Sequence, residues 1–290
     1  MNSETEVGIV EMGANHAKEI SLLCSIAKPS VGYITNFGKA HLEGFGSEQG
    51  VVLAKSELYD YLKEHNGWII MNSDDVKQEN QVGRYSNTFS FSQSKQASIN
   101  IKLLKSQPFL NVATLGTTIK THLVGVYNFH NIAAALAIGS YFNLTCNQLK
   151  SGIEAYVPSN NRSQIINQNS NDILLDAYNA NPSSMEVALQ NFNEIQNSNK
   201  LAIIGDMFEL GATGTKEHLE VVNKAVLFKG CTFYFVGSNF FDQKIAHSTF
   251  LFFETFKELQ SHLEEITISN TSILIKGSRG MALERVLELI

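Results

Sequence analysis

The chain has 290 residues, 43% apolar and 17% charged, the make-up of a packed globular protein and long enough for about two domains. A net charge of −6 provides no basic field for nucleic acid or an anionic membrane surface. Cys24, Cys146 and Cys231 are scattered and form no CxxC, so neither a disulfide framework nor a zinc site is indicated.

The N-terminal "MNSETEVGIVEMG" has no basic and apolar leader, and no apolar run reaches the ~18–20 residues of a membrane span. A soluble protein of the reducing cytoplasm is expected. Short apolar runs then alternate with helical patterns. "EVGIVEMG" (6–13), "SVGYITNFG" (30–38) and "GWIIMNSDD" (67–75) read as buried strands ending in Gly, Asn or Asp, with helices expected over 17–27 and 47–63. This βα alternation predicts a parallel sheet with crossover helices. Residues 83–125, with "NTFSFS", "ASINIKLLKS" and "TTIKTHLVG", are β-rich and predict a small antiparallel insert; an Ala-rich helix follows over 131–141. "AYVPSNNRS" (155–163) is a Pro/Ser/Asn patch and marks the domain boundary. Beyond it, "DILLDAY", "KLAIIGDM", "TFYFVGS" and "TSILIKGSR" read as strands, each followed by a helix, giving a second open α/β sheet. Ligands bind at the carboxyl ends of strands in such sheets, which singles out Glu11, Asn36, Asp176, Asp206 and Lys276.

Within 47–63, Ser47 can cap a helix whose positions Val51, Lys55, Leu58 and Leu62 fall on one face. Lys55 interrupts an otherwise apolar stripe. It either snorkels, with its stem packed and its ammonium in water, or sits in a partly dry site that lowers its pKa and favours the neutral amine. A neutral lysine can take up carbon dioxide as a carbamate and become an oxygen ligand. Glu11 and His41 with such a lysine would make a mostly oxygen-donor site for Mg²⁺. "GYITNFGKA" is not a phosphate-binding loop. Five residues, not four, separate Gly32 from Gly38, Ala40 stands where Ser or Thr is needed, and no other stretch fits.

Asn128 and Asn131 stand at the start of the Ala-rich helix, either as caps or as amides for a base edge. In "LLDAYNANPSSM", Asn181-Pro182 is a helix start. That start leaves Asp176 and Asn179 unexplained, and an Asp in that place can hold a ribose through its hydroxyls. "GDMFELG" and "IKGSRGM" are further strand-to-loop turns carrying charge, either solvated loops or ligand loops.

Together, "EMGANHAKEI", "NFGKAHLEGFGSEQGVVLAKSEL", "YNFHNIAAALAIG", "DAYNANPSSM", "GDMFELG" and "KGSRGMALE" resemble the Mur ligase family, in the family's order and across nearly the whole chain. The last three point to its branch that adds D-Ala-D-Ala to UDP-MurNAc-tripeptide. The resemblance implies an ATP-dependent amide ligase of peptidoglycan precursor synthesis, cytoplasmic and monomeric, that works through an acyl phosphate. It implies that Glu11, His41 and carbamoylated Lys55 serve Mg²⁺. Asn128, Asn131, Arg162, Asp176, Asn179 and Asn181 would serve ATP, although Tyr127 stands where many members have His. Asp206, Glu209, Lys276, Ser278 and Arg279 would face the incoming substrates.

In that family an N-terminal UDP-sugar-binding domain and a Gly-rich loop ending in GKT precede the segment matched by "EMGANH", and only ten residues precede Glu11 here. The expected organisation is therefore a partial central ATP-binding domain over 1–158, with a parallel sheet and a small antiparallel β insert. A Rossmann-like C-terminal ligase domain over 159–290 would complete a chain inactive by itself. The alternatives are a non-catalytic nucleotide- or peptide-binding fragment and a sister ligase such as folylpolyglutamate synthase. A metallohydrolase ranks lower, because the histidines show no HxH or HExxH spacing.

Overall fold

The structure, a computed structural model, describes residues 2, 4–38 and 42–290, with the side chains of Leu42 and Glu43 excepted. It divides into two compact units. The first holds residues 1–102, 113–117 and 130–149; the second holds 103–112, 118–129 and 150–290.

The first half of the chain forms α1 (Glu19–Ala27), β1 (Val31–Tyr33), α2 (Leu42–Phe45), α3 (Glu48–Glu64), β2 (Trp68–Asn72), α4 (Val76–Val82), β3 (Thr88–Ser92) and β4 (Ile99–Asn100). Next come β5 (Lys102–Lys105), β6 (Asn111–Thr114), β7 (Thr117–Lys120), α5 (Asn128–Tyr141) and α6 (Cys146–Glu154). The sheet of the first unit runs β1-β2-β3-β4 with every pairing parallel. Ser47 caps α3 by accepting from the Gly50 N–H at 3.0 Å, as its sequence predicts. Val52, Tyr59 and Leu62 of α3 pack on Ile69 and Met71 of β2.

Two expectations fail in this unit. Residues 6–13 form no strand: Val7, Ile9 and Val10 are 55%, 93% and 52% exposed, and no described strand pairs with them. An apolar run without a neighbouring edge has nothing to bond its backbone to, whatever its propensity. "NTFSFS" and the Ile99–Asn100 part of "ASINIKLLKS" belong not to the antiparallel insert but to the parallel sheet, as β3 and β4. The crossover into β3, α4, is polar and buries only Gln78 and Val82, so it shows no apolar stripe. It starts because the Asp75 carboxylate accepts from the N–H groups of Lys77 and Gln78, and it stops at Gly83, whose φ is 64°. The insert itself is the three-stranded sheet β5-β6-β7. Its β6–β7 hairpin turns through Leu115 and Gly116, both at positive φ (49° and 74°), as a two-residue turn demands.

The second half supplies β8 (Gln164–Gln168), β9 (Asn171–Asp176), α7 (Pro182–Asn193), β10 (Lys200–Gly205) and α8 (Gly214–Ala225). There follow β11 (Cys231–Val236), α9 (Ser238–Phe241), β12 (Phe250–Phe253), α10 (Phe256–Glu264) and β13 (Ser272–Lys276). The sheet order is β12-β11-β10-β13-β9-β8, parallel except for the β8 edge. α7 and α8 bury Met185, Leu189, Phe192, Val221 and Val222 on one face. α10 and the C-terminal turns bury Leu259, Leu263, Leu283 and Val286 on the other. The chain moves outward from β10 to β12, then returns to place β13 between β10 and β9. That reversal places a topological switch point at the carboxyl ends of β9, β13 and β10, the place where an open α/β sheet takes its ligand. The segment after β13 is not the expected α-helix. It forms two 3₁₀ stretches, Arg279–Met281 and Leu283–Glu288.

Candidate functional site

The switch point of the second unit is organised around Asp176, the last residue of β9. Its register partner Lys276 ends β13 and places Nζ 2.6 Å from Asp176 Oδ2. Lys276 is 1% exposed, and its ammonium also donates to the Asn179 carbonyl at 3.2 Å. A lysine this deep is tolerated only when paired and hydrogen-bonded. The other carboxylate oxygen, Oδ1, accepts the backbone N–H of Ser163 at 3.1 Å. Ser163 Oγ lies 2.5 Å from the Tyr127 hydroxyl and accepts from Asn128 Nδ2 at 3.2 Å. Burial above all, and then the nearby Asp176 charge, push the Tyr127 phenol well above its ordinary pKa, so it remains a neutral hydroxyl.

Not every predicted residue presents free groups there. Both donors of the Asn128 amide are used internally, on Ser163 Oγ and on the Val124 carbonyl at 2.8 Å. Asn181 caps α7 through a reciprocal box with Ser184, followed by Pro182. Asn131 and Asn179 are exposed, and the Asn179 amide oxygen accepts from the Ala180 N–H at 2.8 Å. Exposed Arg162 stacks its guanidinium 3.7 Å above the Tyr178 ring, beside the Ser163 turn.

The two charged loops divide in the same way. Asp206, just past β10, is 2% exposed. Its Oδ2 accepts from the Asn239 N–H at 3.0 Å and from Asn239 Nδ2 at 2.9 Å, and its Oδ1 from the Phe240 N–H at 3.0 Å. Gly237 makes room for this carboxylate: its φ is 117°, and a Cβ there would lie 2.3 Å from Asp206 Cγ. Ser278 is buried and joins the loops by accepting from the Phe208 N–H at 2.8 Å. Glu209 is exposed at φ 62°. Arg279 is exposed and pairs with Glu284 at 2.7 Å. Sequence reasoning missed His218, whose Nε2 accepts the Met207 N–H at 3.0 Å while Nδ1 faces the Gly214 carbonyl at 2.7 Å. That is the bonding pattern of a neutral imidazole with hydrogen on Nδ1, so its 3.8 Å approach to Asp206 Oδ1 is not an ion pair.

In the first unit Lys55 is half-buried and donates to the Asn36 carbonyl at 2.8 Å. Burial lowers its pKa below 10.5. Its neighbour Glu57, unnoticed in the sequence, accepts from the N–H groups of Lys18 at 2.6 Å and Ser21 at 2.9 Å. Lys18 opens α1 at φ 72° with no side-chain cap of its own, so Glu57 fixes that turn. Glu11 is exposed, and His41 lies outside the described residues. Among the described residues no three His, Cys, Asp or Glu side chains are grouped to hold a metal ion.

A doubly wound sheet with a carboxylate–lysine pair at its switch point defines a protein of the open α/β class, whose members take ligands at the carboxyl ends of their strands. Comparison with known proteins narrows that class. Residues 1–139 match the Mur ligase middle domain, and residues 161–279 match the Mur ligase glutamate ligase domain. The chain is 30% identical, over 99% of its length, to 67% of the UDP-N-acetylmuramoyl-tripeptide–D-alanyl-D-alanine ligase of Rickettsia prowazekii. It is 32% identical, over 100% of its length, to 66% of the ligase of the same name from Escherichia coli. Among solved structures, MurF from Acinetobacter baumannii is similar at a TM-score of 0.79 and 25% identity, over 95% of this chain and 62% of that one. MurF from Thermotoga maritima in complex with ADP shares the fold, with a TM-score of 0.82 at 23% identity over 96% of this chain and 65% of that one. The chain belongs to the Mur ligase family. It spans about two thirds of the length of the curated relatives it matches.

Proposed function

We propose that this chain serves an ATP-dependent amide ligation of the MurF type, joining D-Ala-D-Ala to UDP-MurNAc-tripeptide. The observation that carries the reading is the Asp176–Lys276 pair at the switch point, in a chain whose relatives bear that activity in their names. The ADP complex of the fold-sharing Thermotoga protein supports a nucleotide as the ligand. In the reaction, an oxygen of the tripeptide's terminal carboxylate attacks the γ-phosphorus of ATP and ADP leaves, giving an acyl phosphate. The amine of D-Ala-D-Ala attacks the acyl carbon, loses a proton, and phosphate departs with the bonding pair. Such chemistry asks the protein for positioning and charge neutralisation.

The residues divide accordingly. Asp176 takes the ribose hydroxyls, with Lys276 as its buried counter-ion. Arg162 reaches the phosphates and Asn179 borders the base; Asn131, on α5, is assigned to the nucleotide by the family resemblance. Asn128 and Asn181 brace the starts of α5 and α7. Asp206 and Ser278 shape the loops that present Glu209 and Arg279 to the incoming amine substrate.

Mg²⁺ would be held by Glu11, His41 and Lys55, the lysine as its carbamate. A half-buried amine of lowered pKa fits that modification, and carboxylate with carbamate gives the oxygen donors Mg²⁺ prefers. When bound, the ion supplies neutralisation of phosphate charge. We assign 1–158 to the central ATP-binding domain and 159–290 to the ligase domain, in a cytoplasmic monomer. Phosphate release with ATP, Mg²⁺, UDP-MurNAc-tripeptide and D-Ala-D-Ala, each omitted in turn from an assay of the full-length protein, tests the reading. Release that needs all four supports it; release indifferent to D-Ala-D-Ala contradicts it.

A further inference from the structure

Asp176 is held at both oxygens, and one of the two holds depends on an unusual turn. Ser163, which donates its backbone N–H to Oδ1, sits at φ 49°, in the left-handed region that a non-glycine residue occupies at a cost. Asn160 and Asn161 before it are left-handed too, at 61° and 58°, but Asn adopts that conformation readily and Ser does not. Something must therefore hold Ser163 in place. Ser163 is 4% exposed, and its side chain has two partners, the Tyr127 hydroxyl at 2.5 Å and Asn128 Nδ2 at 3.2 Å. Asn128 is itself tied back to the Val124 carbonyl. The turn before Tyr127 is shaped to its ring: Gly125 has φ 81°, and a Cβ there would come 2.3 Å from Tyr127 Cε1.

We propose that Tyr127 is a positioning residue for the Asp176 carboxylate, acting through Ser163. The hydroxyl does not touch Asp176. It pins the Ser163 side chain, which keeps the turn left-handed and its N–H aimed at Oδ1 while Lys276 holds Oδ2. The carboxylate is thereby presented in one orientation to a vicinal diol. This deepens the nucleotide reading and rests on Asp176 taking the ribose.

The test is a double-mutant cycle on ADP binding, read by calorimetry with the chain as it stands. Tyr127→Phe removes one hydroxyl and keeps the ring, so the fold is retained. Ser163→Ala removes its partner. Tyr127→Phe and Ser163→Ala are each expected to weaken ADP by about tenfold, the worth of one buried hydrogen bond. The double variant should lose no more than either single one. Amide hydrogen exchange at Ser163 provides a ligand-free reading and should accelerate by a similar factor in Tyr127→Phe. Wild-type affinity and unchanged Ser163 exchange in Tyr127→Phe would overturn the proposal while leaving the nucleotide reading intact. Absence of ADP binding by the folded wild type would overturn the nucleotide reading and, with it, the ribose role. Exchange at Ser163 would then decide whether the hydroxyl holds the turn.

Discussion

Lys276 Nζ lies 2.6 Å from Asp176 Oδ2, and the two residues are register partners at the carboxyl ends of adjacent parallel strands. A one-residue slip of β13 would turn Lys276 to the opposite face of the sheet, so the pair and the strand register specify each other. The lysine side chain is 2% exposed and the aspartate 15%. Lys276→Met therefore strands a mostly buried carboxylate. It should destabilise the second unit by about 3 kcal/mol, the lower end of the range for breaking a buried pair because Asp176 keeps some water. Urea unfolding measures this, and Lys276→Met with Asp176→Asn should recover part of the loss.

Gly237 offers a separate handle on the 206–211 loop. Its φ of 117°, and the 2.3 Å that would separate an added methyl carbon from Asp206 Cγ, leave alanine no place. Gly237→Ala should cost on the order of 3 kcal/mol through strain and displacement of the carboxylate. Amide exchange at Asn239 and Phe240, whose N–H groups Asp206 accepts, should speed up in the same variant.

Lys55 predicts a pH dependence confined to the first unit. Burial holds its folded pKa below 10.5. Between that lowered value and the unfolded value of ~10.4, the unfolded chain binds more protons than the folded one, so stability rises with pH across that window. Below the window both states are protonated and the penalty for burying the ammonium is constant. From about pH 8 to about 10.5 the wild-type urea midpoint should climb relative to that of Lys55→Met, while Cys24, Tyr33 and Tyr59, whose pKa values burial raises, pull both proteins the other way alike. If Lys55 is carbamoylated, intact mass in bicarbonate buffer should show an increment of ~44 Da that Lys55→Met lacks, the lowered pKa leaving more neutral amine to react.

Much of this molecule was legible in its sequence because strand ends and helix starts have local chemistry. Asp176 and Lys276 end their strands and Asp206 follows one, as the apolar runs before them indicate. Asn181-Pro182 opens a helix for reasons contained in four residues. The misses are non-local. Residues 6–13 look like a strand, but pairing needs a neighbour that apolar pattern cannot guarantee. The helix α4 hides because it buries so little apolar surface. The supporting groups were also missed. Glu57 holds a turn 36 and 39 positions away, and Ser163 meets its partner Tyr127 36 positions away. His218 bonds a loop backbone that only the folded chain brings to it.

The central claim is that Asp176 builds a nucleotide site at the switch point of the second unit. Calorimetric titration of Mg²⁺ and ADP into the wild-type chain and into Asp176→Asn tests it most directly. The wild type should bind, and the isosteric variant should bind at least about tenfold more weakly, since asparagine replaces a charged acceptor of ribose hydroxyls with a neutral one. Equal affinity in the two proteins, or no binding by the folded wild type, would contradict the claim.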